Sequence, residues 1–270
     1  MRLKVLRTAR LLSCCALFVI FGVTAAPRSA HAQSPSSQAA NVPNATLPNA
    51  PDPHVSLRNL PRNLMHDQAA IWTSPARLRT SNIAGPTALV VATALVMTTD
   101  HQVMSSARLN NPSLNSHAST ASNGIIGGFL AAPAIFYGMG RIHHDDHATE
   151  TGVLTAEAIG DSLAVNEVIK LISQRERPTM DNAHGRLFQS GMNFNSSFPS
   201  NHAIVAWSSA TVIASEYNGI LTKFTAYGLA TGVSVARVVG RDHFPSDVLV
   251  GSALGWMIGH YVFHRHTKFF

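Results

Sequence analysis

Six stretches rich in Ala, Leu, Val and Ile dominate the chain from residue 83 onward, at about 84–99, 122–140, 150–173, 202–217, 220–239 and 246–264. Polar turn signals separate them. The clearest break is 110–123 and the longest is 181–199. No strand pattern of comparable quality appears, and no internal repeat has a fixed period. The pattern predicts an all-α protein whose core is a six-helix bundle over residues 83–264.

The preceding segments have a different texture. Residues 55–82 scatter isolated apolar residues among prolines and arginines, which predicts short helical pieces and turns leading into the core. Residues 33–54, dominated by Ser, Pro, Asn, Gln and Ala, read as a flexible tether. Arg2, Lys4, Arg7 and Arg10 precede an apolar run from Leu11 to Val23, and a small-residue run then ends Ala30-His31-Ala32. That is the layout of a secretory signal peptide over residues 1–32, so the chain is expected to act outside the cytoplasm, in the periplasm or at the outer face of a membrane. An uncleaved anchor is the other reading of the same segment. Residues 265–270 form a short C-terminal tail.

The export segment changes the charge balance. The whole chain has 20 Lys and Arg against 14 Asp and Glu, a formal +6. Five of the basic residues and none of the acidic ones fall within residues 1–32, leaving 15 against 14, a net +1. A basic surface for nucleic acid is therefore not supported. Both cysteines, Cys14 and Cys15, lie in the export segment, so a mature chain has no thiol for a disulfide, a nucleophile or a zinc ligand.

Charged residues are 13% of the chain, against ~25% in an ordinary soluble domain. Either lipid covers part of the surface, or Asn, Ser, Thr and His replace the usual charges. Residues 83–99, 124–140 and 248–263 are nearly charge-free but, at ~16–17 residues, sit at the short edge of what spans a bilayer. Glu157, Asp161 and Glu167 in the third stretch, and Lys223 and Arg237 in the fifth, must be paired or functional in a membrane. In a soluble bundle Glu157 and Asp161 would mark a polar face. The low charge content favours a membrane-embedded or membrane-associated protein.

Three helix-end segments carry candidate chemistry. The first runs from Lys170 to Arg177-Pro178, with two cations near a helix C-terminus and a proline that stops the helix. The second is Ser197-Phe198-Pro199-Ser200-Asn201-His202, where Ser200 or Asn201 can cap a helix whose first amides face outward. A helix N-terminus disfavours imidazolium, so His202 serves as an acid only if a bound phosphate offsets that effect. The third runs from Arg237 through His243 to Asp247, with Ser246 expected as the next N-cap. Across this bend a carboxylate can hold one imidazole N–H and leave the other nitrogen free to attack. Each segment alone also fits an ordinary helix end. Converged, they supply three cations, a row of amides, a nucleophilic imidazole with its orienting carboxylate, and a second imidazole. Phosphoryl transfer needs that set, with no metal or cofactor.

The same segments resemble those of the phosphatidic acid phosphatase type 2 and vanadium haloperoxidase superfamily. Its pattern is Lys-x6-Arg-Pro, then Pro-Ser-Gly-His, then Ser-Arg-x5-His-x3-Asp. Lys170, Arg177 and Pro178 match the first part, Pro199, Ser200 and His202 the second, and Arg237, His243 and Asp247 the third. The resemblance covers roughly residues 83–264. It implies a helical bundle with its site at one end, acting on a phosphorylated small molecule or lipid. His243 would attack phosphorus to give a phosphohistidine, Asp247 would orient it, and His202 would protonate the leaving alkoxide. Lys170, Arg177, Arg237 and the groups of Ser200 and Asn201 would cradle the phosphate. The alternatives within and beyond the family are a vanadium-dependent haloperoxidase and a non-catalytic phosphate-binding membrane protein.

Two positions depart from the pattern. Asn201 stands where the family has glycine, and Ala236 where it has serine. Asn imitates glycine's dihedrals best, which predicts a surviving cradle with either slower turnover or an added amide contact. The run from Arg141 to His147 is expected to be a solvated loop, and His184 and Arg186 to lie on a substrate-facing loop. His260, His264 and His266 read as a helix end at a surface or headgroup layer.

Overall fold

The computed structural model describes residues 55–189, 191 and 193–267. Among them are seven α-helices and no strand: α1 Leu60–Thr73, α2 Ala84–Met104, α3 Pro112–His143, α4 Asp146–Ser173, α5 Asn201–Glu216, α6 Ile220–Val239 and α7 Pro245–His266. The expected export segment and tether, and the end of the tail, lie outside the described residues.

The six core stretches all form helices, and one expected break does not exist. Residues 112–123 are the first turns of α3 rather than a loop. Asn111 caps this helix by accepting from the Leu114 N–H at 3.2 Å, and Pro112 occupies the first turn, where its missing N–H costs nothing. The polar residues that suggested a turn sit instead on a capped helix and reach toward the other end of the chain, as Ser119 and Asn123 show below. A second difference concerns α7. Its N-cap is Phe244 rather than Ser246, with Pro245 in the first turn and the Asp247 carboxylate accepting from the Phe244 N–H at 2.9 Å.

α4 is the central helix. It packs against α1, α3, α5 and α7, and from Glu150 to Ser162 almost every side chain is buried. α5 is buried along most of its length and packs most extensively on α7. Close approach of these two is set by Gly251, Gly255 and Gly259, spaced four apart on one face of α7. A Cβ at Gly251 or Gly259 would stand 2.8 or 2.6 Å from the carbonyl oxygen of Ser200 or Ser208, and Gly255 is pressed as tightly on the Ile204 carbonyl.

The bundle differs from a soluble domain in where its polar and apolar side chains lie: polar ones share the interior with an apolar core, and apolar ones face outward. Glu157, Asp161, Ser162, Asn166, Ser208, Ser209 and Thr211 are buried. The outer faces are apolar: Val90 and Leu95 on α2, Leu130 and Ile142 on α3, and Ile220 and Phe224 on α6, the last two 85% and 78% exposed. Glu157 and Asp161 therefore form no polar surface. They point inward, toward α1 and the end of α7, where Gln68 donates to Asp161 Oδ1 at 2.8 Å. α3 is long and apolar enough to cross a membrane and is mostly exposed, unlike the core helix of a soluble protein.

Candidate active site

The three motif segments meet at one end of the bundle. α4 ends at Ser173, with Gln174 in the left-handed conformation that closes a helix. The chain then runs under the start of α5: Ser197 N–H donates to the Arg175 carbonyl at 2.8 Å, and Ser173 Oγ donates to the Phe198 carbonyl at 2.8 Å. The α6–α7 bend closes from the other side, where Ser200 N–H donates to the Asp247 carbonyl at 3.1 Å and Arg177 Nη1 to the Asp242 carbonyl at 3.2 Å.

His243 is almost fully buried, and its Nδ1 lies 2.8 Å from the Ser197 carbonyl oxygen. A carbonyl only accepts, so Nδ1 carries the proton and Nε2 keeps its lone pair. Burial, and then the charges of Arg177 and Arg237, push the His243 pKa down, while Asp247 opposes them. The imidazole is thus held neutral. Asp247 stands further off than a direct hydrogen bond, with Oδ2 3.7 Å from Nδ1. Its Oδ2 accepts from Ser197 Oγ at 2.5 Å and from the Phe244 N–H, so the carboxylate fixes the backbone that carries both His243 and its acceptor.

Asp247 is itself held by a residue that motif spacing did not single out. Arg175 is buried and donates to Asp247 Oδ1 at 2.6 Å, Asp100 Oδ2 at 2.7 Å, Ser246 Oγ at 2.7 Å and the Gly185 carbonyl at 3.1 Å. Its guanidinium lies 4.2 Å over the Phe244 ring. Gly185 has φ +62°, and a Cβ there would stand 2.6 Å from Phe244.

His202 lies in the first turn of α5, its Nε2 2.9 Å from Asn123 Oδ1. Arg237 Nη1 donates to the same oxygen at 3.3 Å, to Ser122 Oγ at 3.2 Å, and pairs with Asp242 at 3.1 Å. An arginine only donates, which fixes the amide orientation of Asn123 and makes His202 Nε2 the protonated nitrogen of the neutral ring. Burial, followed by the charge of Arg237, lowers the His202 pKa from 6.5 to about 4. Arg237 is buried, and its Nε has no hydrogen-bond partner. A buried guanidinium N–H without a partner is a donor available to an anion. Asn123 and Ser122 come from the stretch of α3 expected to be a loop, so no sequence signal placed them here.

The remaining predicted residues are close by, with some reassigned roles. Lys170 is buried, its Nζ 3.4 Å from the Phe194 carbonyl, within the field of Arg177 and Asp247. Arg177 Nε donates to Asn195 Oδ1 at 3.0 Å. Ser200 caps α5, its Oγ accepting from the Ala203 N–H at 3.5 Å, and its N–H donates to the Asp247 carbonyl, so the hydroxyl proton is the group it can still offer. The Asn201 side chain bonds Asn166 and, through Nδ2, Glu167 Oε1 at 3.3 Å. It is turned onto α4, and the added amide contact expected from the departure from glycine is instead a helix–helix tie. What Asn201 and His202 retain for an anion is their backbone N–H groups, which have no intrahelical acceptor. His184 stacks on His101 at 4.7 Å, and Arg186 pairs with Asp181 at 2.5 Å, in the loop between the first and second segments.

Residues 151–270 match the model of the PAP2 superfamily. A stretch of 77 residues is 35% identical to a lipid A 1-phosphatase of Porphyromonas gingivalis, covering 28% of this chain and 17% of that protein, so the chain matches less than a fifth of this relative's length. Among solved structures, a transmembrane PAP2-type phosphatidylglycerolphosphate phosphatase from Bacillus subtilis superposes with a TM-score of 0.51 at 23% identity, over 68% of this chain and 98% of that one. The second likeness is one of fold.

Proposed function

Because residues 151–270 match the PAP2 superfamily model, we propose that the chain is a PAP2-type enzyme that hydrolyses a phosphate monoester borne by a lipid, at the end of the bundle where the three motif segments meet. The observation that carries this reading is the state of His243: a neutral imidazole with its Nδ1–H fixed on the Ser197 carbonyl, among the charges of Arg177 and Arg237.

His243 Nε2 attacks phosphorus as the bond from phosphorus to the alkoxide oxygen breaks, and His202 gives its proton to that oxygen. Arg237, Arg177, Lys170 and the first amides of α5 hold the equatorial oxygens. Water then attacks the phosphohistidine, His202 takes the water proton, and the phosphorus–nitrogen bond breaks to release phosphate. A bound phosphate brings negative charge beside the ring, which lets His202 hold its proton at the start of the cycle.

Two observations favour a lipid over a small soluble ester. The outward faces of α2, α3 and α6 are apolar while carboxylates are buried, which suits a domain seated in a bilayer. Both named relatives, by their names, act on phosphorylated lipids. An exported, membrane-associated enzyme acting at the outer face follows from this reading together with the predicted signal peptide.

The test is phosphate release by the detergent-purified protein from phosphatidic acid, phosphatidylglycerol phosphate, a polyprenyl diphosphate and p-nitrophenyl phosphate, beside H243A and R177A. Hydrolysis of a lipid phosphate that both variants lose supports the reading. Equal activity in all three proteins, or bromide oxidation with added vanadate and no phosphate release, would overturn it.

A further inference from the structure

At the other end of the bundle, roughly 20 Å along α4 from Lys170 and 30 Å along α7 from Pro245 by helical rise, four ionisable side chains from three helices converge. Asp67 comes from α1, Glu157 and Asp161 from α4, and His266 from the last turn of α7. The three carboxylates are fully buried. His266 Nε2 lies 2.8 Å from Asp67 Oδ2 and 3.2 Å from Glu157 Oε1. One ligand atom from each of Asp67, Glu157 and His266 lies within 4.8 Å of the other two.

Hydrogen bonds account for only part of this cluster, with Glu157 in reach of Asn63 and Asp67. A ring nitrogen carries one proton, which His266 can direct to Asp67 or to Glu157 but not well to both. Asp67 also accepts from Tyr261 Oη at 3.0 Å. Glu157, with Asn63 nearby, is left with neither oxygen accepting a hydrogen bond of proper geometry, and Asp161 Oδ2 is in the same position. Among the described residues the one further cation paired with the cluster is Arg265, 3.6 Å from Asp67 and 55% exposed. Three buried carboxylates thus face one imidazole and a guanidinium that is half in solvent, an imbalance that burial penalises and that either a proton held between Glu157 and Asp67 or a bound cation relieves.

A cation resolves the imbalance, and the spacing suits one. Ligands at about 2.0–2.1 Å from a tetrahedral zinc ion stand about 3.3 Å from one another, close to the 2.8 and 3.2 Å separations around His266 Nε2. We propose that Asp67, Glu157 and His266 bind one divalent transition-metal ion of the Zn²⁺ type, which clasps α1 and the end of α7 to the central helix. One imidazole with two carboxylates is a borderline donor set that suits such an ion better than Ca²⁺. Tyr261 and Gln68 hydrogen-bond Asp67 and Asp161 and serve as outer partners that fix the carboxylates. His266, read from the sequence as part of a surface helix end, becomes a ligand because α1 covers it.

The test is independent of the phosphatase reading. The full chain, purified in detergent, stripped with a chelator and desalted, is given ZnCl₂, desalted again and analysed for zinc, with thermal unfolding measured before and after. The expected result is about one zinc retained per chain and a Tm raised by several degrees. Retention should fall at least tenfold in both E157Q and H266A, and chelation should leave the rate of phosphate release unchanged. H266A alters a residue at the helix end and keeps the test available if E157Q does not fold. No zinc retained at micromolar concentration, retention by H266A equal to the parent, or E157Q stabilising the apo-protein while the parent binds no zinc would each overturn the proposal.

Discussion

The Nδ1–H of His243 donates to the carbonyl oxygen of Ser197 at 2.8 Å, and this bond decides which ring nitrogen can react. Ser197 belongs to the segment that leads into α5, whereas His243 belongs to the α6–α7 bend. The proposed nucleophile is therefore oriented by the same loop that presents the proposed proton donor, His202. If these two imidazoles divide the work as proposed, their losses should differ. H243A should abolish turnover of every substrate. H202A should lower kcat by about 10²–10⁴ for a lipid phosphate, but much less for phosphoryl transfer from p-nitrophenyl phosphate, whose leaving group needs no proton. Rates on both substrates, with a burst analysis for the second, check the split.

A second expectation concerns pH. Without a bound anion His202 is held near pKa 4 by burial and by the Arg237 charge, against 6.5 for the free side chain. The folded value is depressed, so at pH 7 the ring is neutral until an anion arrives. Inorganic phosphate places negative charge beside the ring and favours the protonated form, so the pKa should rise. An NMR titration of the His202 ring with and without phosphate should show an upward shift of at least one unit. No shift, or a downward one, would separate His202 from the anion site.

Asn123 offers a test of the residue that joins His202 to Arg237. N123A should lower kcat about tenfold, by freeing the imidazole and loosening the guanidinium, while leaving the fold intact. N123D keeps the size but adds a negative charge, which favours imidazolium. The pH profile of N123D should therefore be displaced to higher pH relative to the parent, a change that a purely structural role would not produce.

The buried Arg175 should matter for stability more than any other motif-region residue. Replacing it with Met leaves Asp100 and Asp247 as buried, unpaired carboxylates, at a cost of about 3–5 kcal/mol. Combining R175M with D100N should cost less than the two single substitutions added together, because the pair shares one interaction. Denaturation midpoints of the four proteins test this coupling.

Much of the bundle can be read along the chain, and the exceptions have a common cause. α6 occupies Ile220–Val239, the span its apolar run predicts, and α5 differs from expectation by one residue at each end. Residues 112–123 escaped because their Ser, Asn, Thr and His content mimics a turn, while the cap at Asn111 and the contacts of Ser119, Ser122 and Asn123 with Asp242 and Arg237 keep them helical. α1 escaped as a packing element because its value lies in Asp67, whose partners are about two hundred positions away. At the site, the spacing within each segment marks Lys170, Arg177, His202, Arg237 and His243. It is silent on Arg175 and Asp100, whose pairing bridges 75 positions and exists only after the helices dock. Spacing also left the Asn201 side chain free to face phosphate, when a neighbouring helix claims it.

The change of character along α3 also sets a depth. Its first twelve residues are polar and serve the site, and from Gly124 to Gly140 the helix is apolar for roughly 25 Å of rise, against ~30 Å of hydrocarbon in a bilayer. With that segment immersed, Asn123 and the residues it touches stand at the level where acyl chains give way to headgroups. A phospholipid could then present its phosphorus to His243 while its tails stay in the leaflet, so the substrate would arrive by lateral diffusion in two dimensions rather than from solution. For such an enzyme the quantity that governs rate is the surface fraction of the lipid phosphate, not its bulk concentration.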